Sequence, residues 1–402
     1  MYKMDSSDLN KISSLPVFHP TVREFKNFSK CVEKYEKLCG NAGAFKVVPP
    51  KGWVARTQGY EDMDLVVRKP IEQFVHGRNG LYELVYMVRE SRSLAKYQKF
   101  VSKFENTSRK LTNTDIERLF WKTLKLNAPL YGADIQGTLM DEGTPWNLGE
   151  IKTALNEGMD GMQLSGVTLP YLYFGGWKTM FGWHKEDMDL YSINFLHLGA
   201  TKFWYSIDVD SNQAFEEFTR KAFSDKFEKC SEYLRHKNTL VNPVVLRNNG
   251  IKLRKMVQKP GEFIILRSKA YHSGFNSGYN IAEAVNFALF DWIKNASGKV
   301  NFCNCVGDSV KINMSEFCKT YIEKLKKKRN SQKKRMIKVL EEVLEEDIKA
   351  KEIYTLKQAY LLEKKQKALE SRRKTLLRKG RKRTAQLPSK KGSKSKKVKT
   401  SE

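Results

Sequence analysis

The sequence predicts an α+β protein built around an antiparallel β-sandwich or barrel, and three observations carry that expectation. Between 165 and 295, short segments rich in aromatic and aliphatic residues (TLPYLYFGGW, DLYSINFLHLG, KFWYSID, EFIILR, NIAEAVNFALFDW) are set off by Gly, Asn and Asp, the texture of strands separated by turns. Several of these segments are apolar on both faces, as strands are when helices cover one side of their sheet. Helix-opening patterns flank them, Asn147-x-x-Glu150 before and Asn313-x-x-Glu316 after, each able to satisfy the free N–H groups of a first turn.

From the N-terminus, residues 17–60 are aromatic and basic, VFHPTVREFKNFSKCVEKYEK and then AFKVVPPKGW. A short helix between extended flanks fits them, and Pro49-Pro50 marks an extended exit. Residues 61–139 read as a helical spacer: Leu81, Leu84, Met87 and Val88 recur at helical spacing, and Thr114-x-x-Glu117 is a capping-box signature opening a helix through Trp121. The sandwich follows, within 140–310. Beyond it, 311–370 is charged with Ile337, Leu340, Leu344 and Ile348 at helical spacing, expected as a helix or short coiled coil. Residues 371–402, ending in RKGRKRTAQLPSKKGSKSKKVKTSE, are low-complexity and expected to be disordered. No internal repeat is visible.

With 402 residues, 40% hydrophobic and 11% aromatic, the chain can fill one large core or two medium ones. No apolar run approaches the roughly 20 residues of a membrane helix, and MYKMDSSDLN lacks the apolar stretch of a secretion signal, so a soluble intracellular protein is expected. The net charge of +28 is unevenly placed: 321–402 holds 29 Lys and Arg against 10 Asp and Glu. Such a basic tail fits nuclear import or contact with nucleosomal DNA. The cysteines at 31, 39, 230, 303, 305 and 318 are expected as thiols or metal ligands, and Cys303 and Cys305 are too close to bridge without strain.

The most informative stretch is FGWHKEDMDLYSINFLHLGATKFWY. His184 and Glu186 stand two apart at the mouth of an expected strand, so they share a face. If His272, in AYHSGFNSGYN, lies across the sheet, two imidazoles and one carboxylate form the arrangement that leaves three positions open on a non-haem iron. His-x-Glu alone is commonplace, and its company gives it weight. Asn194 and Lys202, eight and sixteen residues beyond Glu186, fall on the metal-facing side if strand pairing keeps parity. A buried lysine there needs an anion, which the far carboxylate of 2-oxoglutarate would supply.

The stretch YLYFGGWKTMFGWHKEDMDLYSINFLHLGATKFWY resembles the JmjC domain of histone lysine demethylases. FHPTVREFKNFSKCVEKYEK with AFKVVPPKGW resembles the JmjN segment found beside it in the subfamily acting on trimethylated lysines of histone H3. The resemblance continues through PLYGADIQGTL and YLRHK to NFCNC. It implies a double-stranded β-helix (a jelly roll of cupin type) with flanking helices, JmjN at 17–60 and the catalytic domain at 140–310. It also implies an enzyme dependent on Fe(II) and 2-oxoglutarate that removes tri- and dimethyl groups from histone H3 lysine 9, lysine 36 or both. The reaction would be N-methyl hydroxylation with release of formaldehyde, and the location nuclear.

Carried over at matching positions, His184, Glu186 and His272 would hold the iron, while Tyr131, Asn194 and Lys202 would hold 2-oxoglutarate with Phe181 lining its pocket. Gly166, Tyr171, Tyr173, Glu186, Ala284 and Asn286 would form the methyl-lysine pocket, with Lys237 nearby. Ala284 stands where several members carry serine. Cys230, His236, Cys303 and Cys305 would bind a structural zinc ion, and three thiols with one imidazole do make a closed set. The six-residue gap from Cys230 to His236 spans about 240° of helix, so a bend is expected between them. Two rival readings are a JmjC protein hydroxylase, which shares the iron chemistry, and a non-enzymatic chromatin binder acting through the basic tail.

Overall fold

The computed structural model describes residues 7–61, 63–104, 111–296, 303, 305, 310–327 and 332–384. Two compact units divide the chain, 1–345 and 346–402.

In the first unit two sheets carry the fold. The smaller runs, in spatial order, Ser13–Ser14, Leu253–Gln258, Lys202–Ile207, His272–Asn276 and Met180–His184. The larger runs Thr239–Val241, Leu81–Val88, Ile71–Arg78, Leu130–Gln136, Tyr171–Gly175, Asn280–Phe287, Tyr191–Gly199, Phe263–Leu266, Ala44–Val47 and Val17–Phe18. From 180 onward the chain winds between them: 180–184 small, 191–199 large, 202–207 small, 263–266 large, 272–276 small, 280–287 large. That alternation is a double-stranded β-helix, and with its flanking helices the class is α+β, as expected.

The winding explains the apolar texture. Tyr191–Gly199 is central in the larger sheet, paired with Asn280–Phe287 on one edge and Phe263–Leu266 on the other, and its first seven residues are buried. A strand covered on both faces has no reason to alternate. Passage to the smaller sheet occurs at Gly199, where φ is 89° and an added Cβ would stand 2.2 Å from the Tyr279 carbonyl oxygen, so only glycine fits.

The N-terminal segment completes the larger sheet. Ala44–Val47 pairs antiparallel with Phe263–Leu266, and Val17–Phe18 adds in parallel outside it. Between these strands, helix Phe28–Leu38 buries Phe28, Cys31, Val32 and Tyr35. A capping box of Thr21 and Glu24 opens the preceding turn, Val22–Phe25. Phe25 stacks on Trp146 at 4.6 Å, and the Trp146 indole N–H donates to the Phe25 carbonyl at 2.8 Å, tying this segment to the core.

Several local expectations are corrected. The 61–139 stretch is a helical spacer only in part, because Ile71–Arg78 and Leu81–Val88 form a hairpin and Leu130–Gln136 is a strand. The apolar positions 81, 84, 87 and 88 do match a helix, but Tyr82, Val85 and Tyr86 between them favour strand. Asn79-Gly80 decides the outcome, since both residues have positive φ (55° and 82°) as a two-residue hairpin turn requires. At Gly80 a Cβ would also stand 2.5 Å from Val245 Cγ2. Gly80→Ala should therefore destabilise the fold by about 1–2 kcal/mol, read as a lower urea midpoint.

Helix Asn113–Thr123 is capped by Thr112 with Asp115, not by Thr114 with Glu117. Glu117 is buried instead, accepting from the Tyr205 hydroxyl at 2.6 Å and from Lys255 Nζ at 2.7 Å. Asn147 and Glu150 lie in turns, where their side chains accept from the Gly149 and Gly143 N–H groups, and the next helix, Ala154–Met159, starts after Thr153. Helix Met314–Lys327 does begin directly after Asn313. Ile337, Leu340 and Leu344 pack into the first unit's core, on helix Lys333–Thr384.

The described part of the second unit is helical, 346–384, with Leu356, Leu362 and Leu369 exposed. Residues 371–384, expected to be disordered, therefore continue a helix, as good helix formers without proline allow. The rest of that stretch, 385–402, lies outside the described residues. Among the described residues no helix is long and apolar enough to cross a membrane.

Candidate metal and co-substrate site

His184 ends one strand of the smaller sheet and His272 begins its antiparallel neighbour, and the two are register partners. Their ring centroids stand 4.2 Å apart. Glu186 lies just past the strand end, with Oε1 3.5 Å from His272 Nε2. One donor atom from each of the three residues lies within 4.8 Å of the others. Each imidazole is oriented through Nδ1, His184 toward the Gly182 carbonyl at 2.7 Å and His272 toward the Ala270 carbonyl at 3.1 Å. An Nδ1–H donated to a carbonyl leaves the Nε2 lone pair as the ligating atom. Burial holds the pKa of both rings below the ordinary histidine value, most strongly at His184, so both stay neutral as a cation ligand must.

Asn194 and Lys202 reach this region differently from the parity argument. They do not share a strand: Asn194 is on the larger sheet and Lys202 on the smaller, with the Gly199 crossing between them. Lys202 Nζ sits 4.9 Å from the Phe181 ring centroid, 5.3 Å from that of Trp204 and 5.7 Å from that of Tyr173, which bridges the two sheets. Burial alone lowers the Lys202 pKa to about 7. Among the described residues the Asn194 Oδ1 is buried without a hydrogen-bond partner. Tyr131, also buried, lies with its ring 6.2 Å from that of Tyr173, and burial raises its phenol pKa. Lys202 thus faces the side of the larger sheet that carries Tyr173 and, through the register Tyr171–Ala284–Asn194, Asn194; a desolvated cation opposite an orphaned amide oxygen fits a polar, anionic small molecule.

Of the expected methyl-lysine residues, Tyr171 and Ala284 are register partners across the larger sheet, and Ala284 pairs in turn with Asn194 of the expected co-substrate set, so the three share a face. Gly166, at φ 75°, carries no Cβ where one would lie 2.3 Å from the Tyr171 ring. The Tyr173 hydroxyl donates to Asp134 Oδ1 at 3.0 Å, and Asn286 donates to the Tyr191 carbonyl at 3.0 Å. Lys237 is exposed and turns through the left-handed region at φ 57°.

Cys230, His236, Cys303 and Cys305 also converge, each giving one donor atom within 4.8 Å of the rest. His236 Nε2 is 3.0 Å from Cys303 Sγ, and Cys230 Sγ is 3.6 Å from it. Cys230 is extended between the helical pieces Ser224–Lys229 and Tyr233–His236, which supplies the expected bend. Burial and the adjacent Cys303 thiol push the Cys230 pKa up to about 12. Thiols crowded this way become a favourable donor set only around a cation.

Sequence reasoning missed Trp204, Asp134 and Arg235. Trp204 is two residues after Lys202 on a strand, so the same-face rule used for His184 and Glu186 would have found it. Asp134 adopts φ 58° inside its strand, and nothing local signals that. Arg235 acts through residues far from it in sequence.

Comparison with known proteins agrees with this geometry. Residues 171–287 match the family described as "JmjC domain, hydroxylase", and residues 16–49 match the jmjN domain. The chain is 40% identical over 320 residues to lysine-specific demethylase 4B of Mus musculus, covering 78% of this chain and 29% of that protein. It is 40% identical over 324 residues to probable lysine-specific demethylase 4F of Homo sapiens (79% and 50%) and 39% identical over 315 residues to lysine-specific demethylase 4D of Rattus norvegicus (77% and 61%). It thus spans between 29% and 61% of the length of these relatives. With both domains matched in their proper order and similarity running through most of its length, the chain belongs to the JmjN/JmjC family that includes the lysine-specific demethylases 4.

Proposed function

We propose that this chain is an iron(II)- and 2-oxoglutarate-dependent oxygenase that demethylates lysines of histone H3 in the nucleus, at lysine 9, lysine 36 or both. The observation that carries the reading is the convergence of His184, Glu186 and His272 beside the desolvated ammonium of Lys202. Iron(II) held by those three residues would supply, with dioxygen as oxidant and 2-oxoglutarate as the co-substrate oxidised alongside, the chemistry that hydroxylates an N-methyl group and releases formaldehyde.

The chain's own part is to bind, orient and exclude water. His184 and His272 present neutral Nε2 atoms fixed by their Nδ1 hydrogen bonds. Lys202 would pair with the distal carboxylate of the co-substrate, with Asn194 and Tyr131 as further polar contacts, while Phe181 and Trp204 keep the basin dry. Tyr171, Tyr173, Gly166, Ala284, Asn286 and Glu186 would surround the methylated side chain. A quaternary ammonium has no N–H to donate, so such a pocket recognises it through aromatic faces and oxygen acceptors facing its polarised methyl groups. The Cys230, His236, Cys303 and Cys305 set would hold zinc as a structural ion.

The test is incubation with iron(II), ascorbate and 2-oxoglutarate against a panel of methylated histone H3 peptides, followed by peptide mass. Stepwise loss of methylene mass with formaldehyde in solution is the expected result. No loss on any peptide overturns the reading, and gain of one oxygen atom without formaldehyde points to a protein hydroxylase.

A further inference from the structure

The strand that positions His184 stops there, and Glu186 stands in the following turn, beyond the sheet's own hydrogen bonds. The two residues after Asp187 are backbone outliers: Met188 and Asp189 both have positive φ, 55° and 53°. Consecutive non-glycine residues in that region persist only where their surroundings over-determine them. Trp292 Nε1 donates to the Met188 carbonyl at 2.9 Å and the Ser268 hydroxyl to the Asp189 carbonyl at 2.7 Å. The third clamp comes from Arg235, whose side chain is only 6% exposed. Its guanidinium donates through Nη1 to the Glu186 carbonyl at 3.1 Å and through Nη2 to Asp189 Oδ1 at 3.0 Å, with Glu232 Oε2 3.5 Å from Nε.

Arg235 is itself held by the other constellation. It precedes His236 directly and lies within the loop that begins at Cys230, so two of the four converging donors bracket it in sequence. We infer that Arg235 is a positioning residue that couples occupancy of the Cys230, His236, Cys303 and Cys305 cluster to the placement of the Glu186 carboxylate. This rests on the proposed iron site. The flat fork of the guanidinium suits the role, because it reaches a main-chain carbonyl and a carboxylate at once from a fixed plane. The coupling makes the cysteine cluster more than a staple: losing its ion would loosen the carboxylate donor without touching either histidine.

The test uses the full chain loaded with zinc and Mn(II) as a redox-inert probe, with free Mn(II) followed by its solution EPR signal. Arg235→Lys and Arg235→Gln should keep the parent's zinc content and circular dichroism yet bind Mn(II) about 10- to 100-fold more weakly, the usual cost of removing an outer partner of a ligand. Extracting zinc from the parent should weaken Mn(II) binding comparably. Extraction from Arg235→Gln should then add no more than about twofold, because the link is already cut. Mn(II) affinity within about twofold of the parent in either zinc-replete variant overturns the inference, as does an equal loss on zinc extraction in parent and variant. Should Arg235→Gln fail to fold, Arg235→Lys and zinc extraction from the parent decide the matter. A His184→Ala control separates the two failures: Mn(II) binding unchanged in that control means the iron site itself is misassigned.

Discussion

His184→Ala is expected to reduce demethylation by more than about a thousandfold, some 4 kcal/mol of lost transition-state stabilisation, while leaving a folded protein. The asymmetry follows from where the residue sits. His184 is buried at the end of a strand whose remaining residues stay paired with the His272 strand, so the cavity is local and should cost about 1–3 kcal/mol. For binding, loss should be near complete, because the proposed half-open iron site would keep only two of its three donors. Formaldehyde release and consumption of 2-oxoglutarate should vanish together, with the content of zinc unchanged. Retained turnover in His184→Ala overturns the assignment. The metal-free chain carries a pH signature of the same site. Both imidazoles have folded-state pKa values depressed below 6.5, so their contribution to stability is complete above 6.5 and is lost as pH falls below it toward the folded values. His184→Ala should flatten that decline in the unfolding midpoint.

The donor triad was legible because two of its members are neighbours in sequence and strand geometry ties i to i+2. The third was not placed by spacing: His272 comes alongside His184 only because the chain winds back into the smaller sheet, and resemblance, not periodicity, located it. The parity argument for Asn194 and Lys202 rested on a premise that the fold does not meet. It assumed one continuous ladder, whereas the Gly199 crossing puts the two residues on different sheets. In the 61–139 stretch, two signals competed and the apolar period was the weaker. Residues 81–88 fit a helix by spacing, yet the Asn79-Gly80 turn and the β-branched and aromatic residues between the periodic positions favour a hairpin. The caps failed by small shifts for a related reason. A capping pattern names residue types at a spacing, and 112/115 and 114/117 satisfy it almost equally, but burial of Glu117 against Tyr205 and Lys255 depends on a tertiary contact invisible locally.

Lys202→Met should cripple co-substrate binding while stabilising the empty protein, and the opposed signs make it a sharp test. In the absence of an anion the lysine is a burden, since burial alone depresses its pKa to about 7 and aromatic faces are its nearest surroundings. Replacing it by an apolar side chain of similar length removes a desolvated charge and should raise stability by about 1–3 kcal/mol. The same change removes the proposed partner of the distal carboxylate. A buried charge pair broken on one side typically costs about 3–5 kcal/mol, so KM for 2-oxoglutarate should rise by at least about a hundredfold. The parent should also bind the dianion with proton uptake above pH 7, because the empty site then holds a neutral amine and the bound state needs an ammonium. Its apparent affinity should fall by up to about tenfold per pH unit from 7 upward, a slope that Lys202→Met must lack. A variant that keeps the parent's KM would show that the carboxylate is held elsewhere. A variant that loses affinity but keeps the pH slope would show that another group takes up the proton. Any selectivity for a dicarboxylate would then have to come from a group other than the buried Lys202 amine.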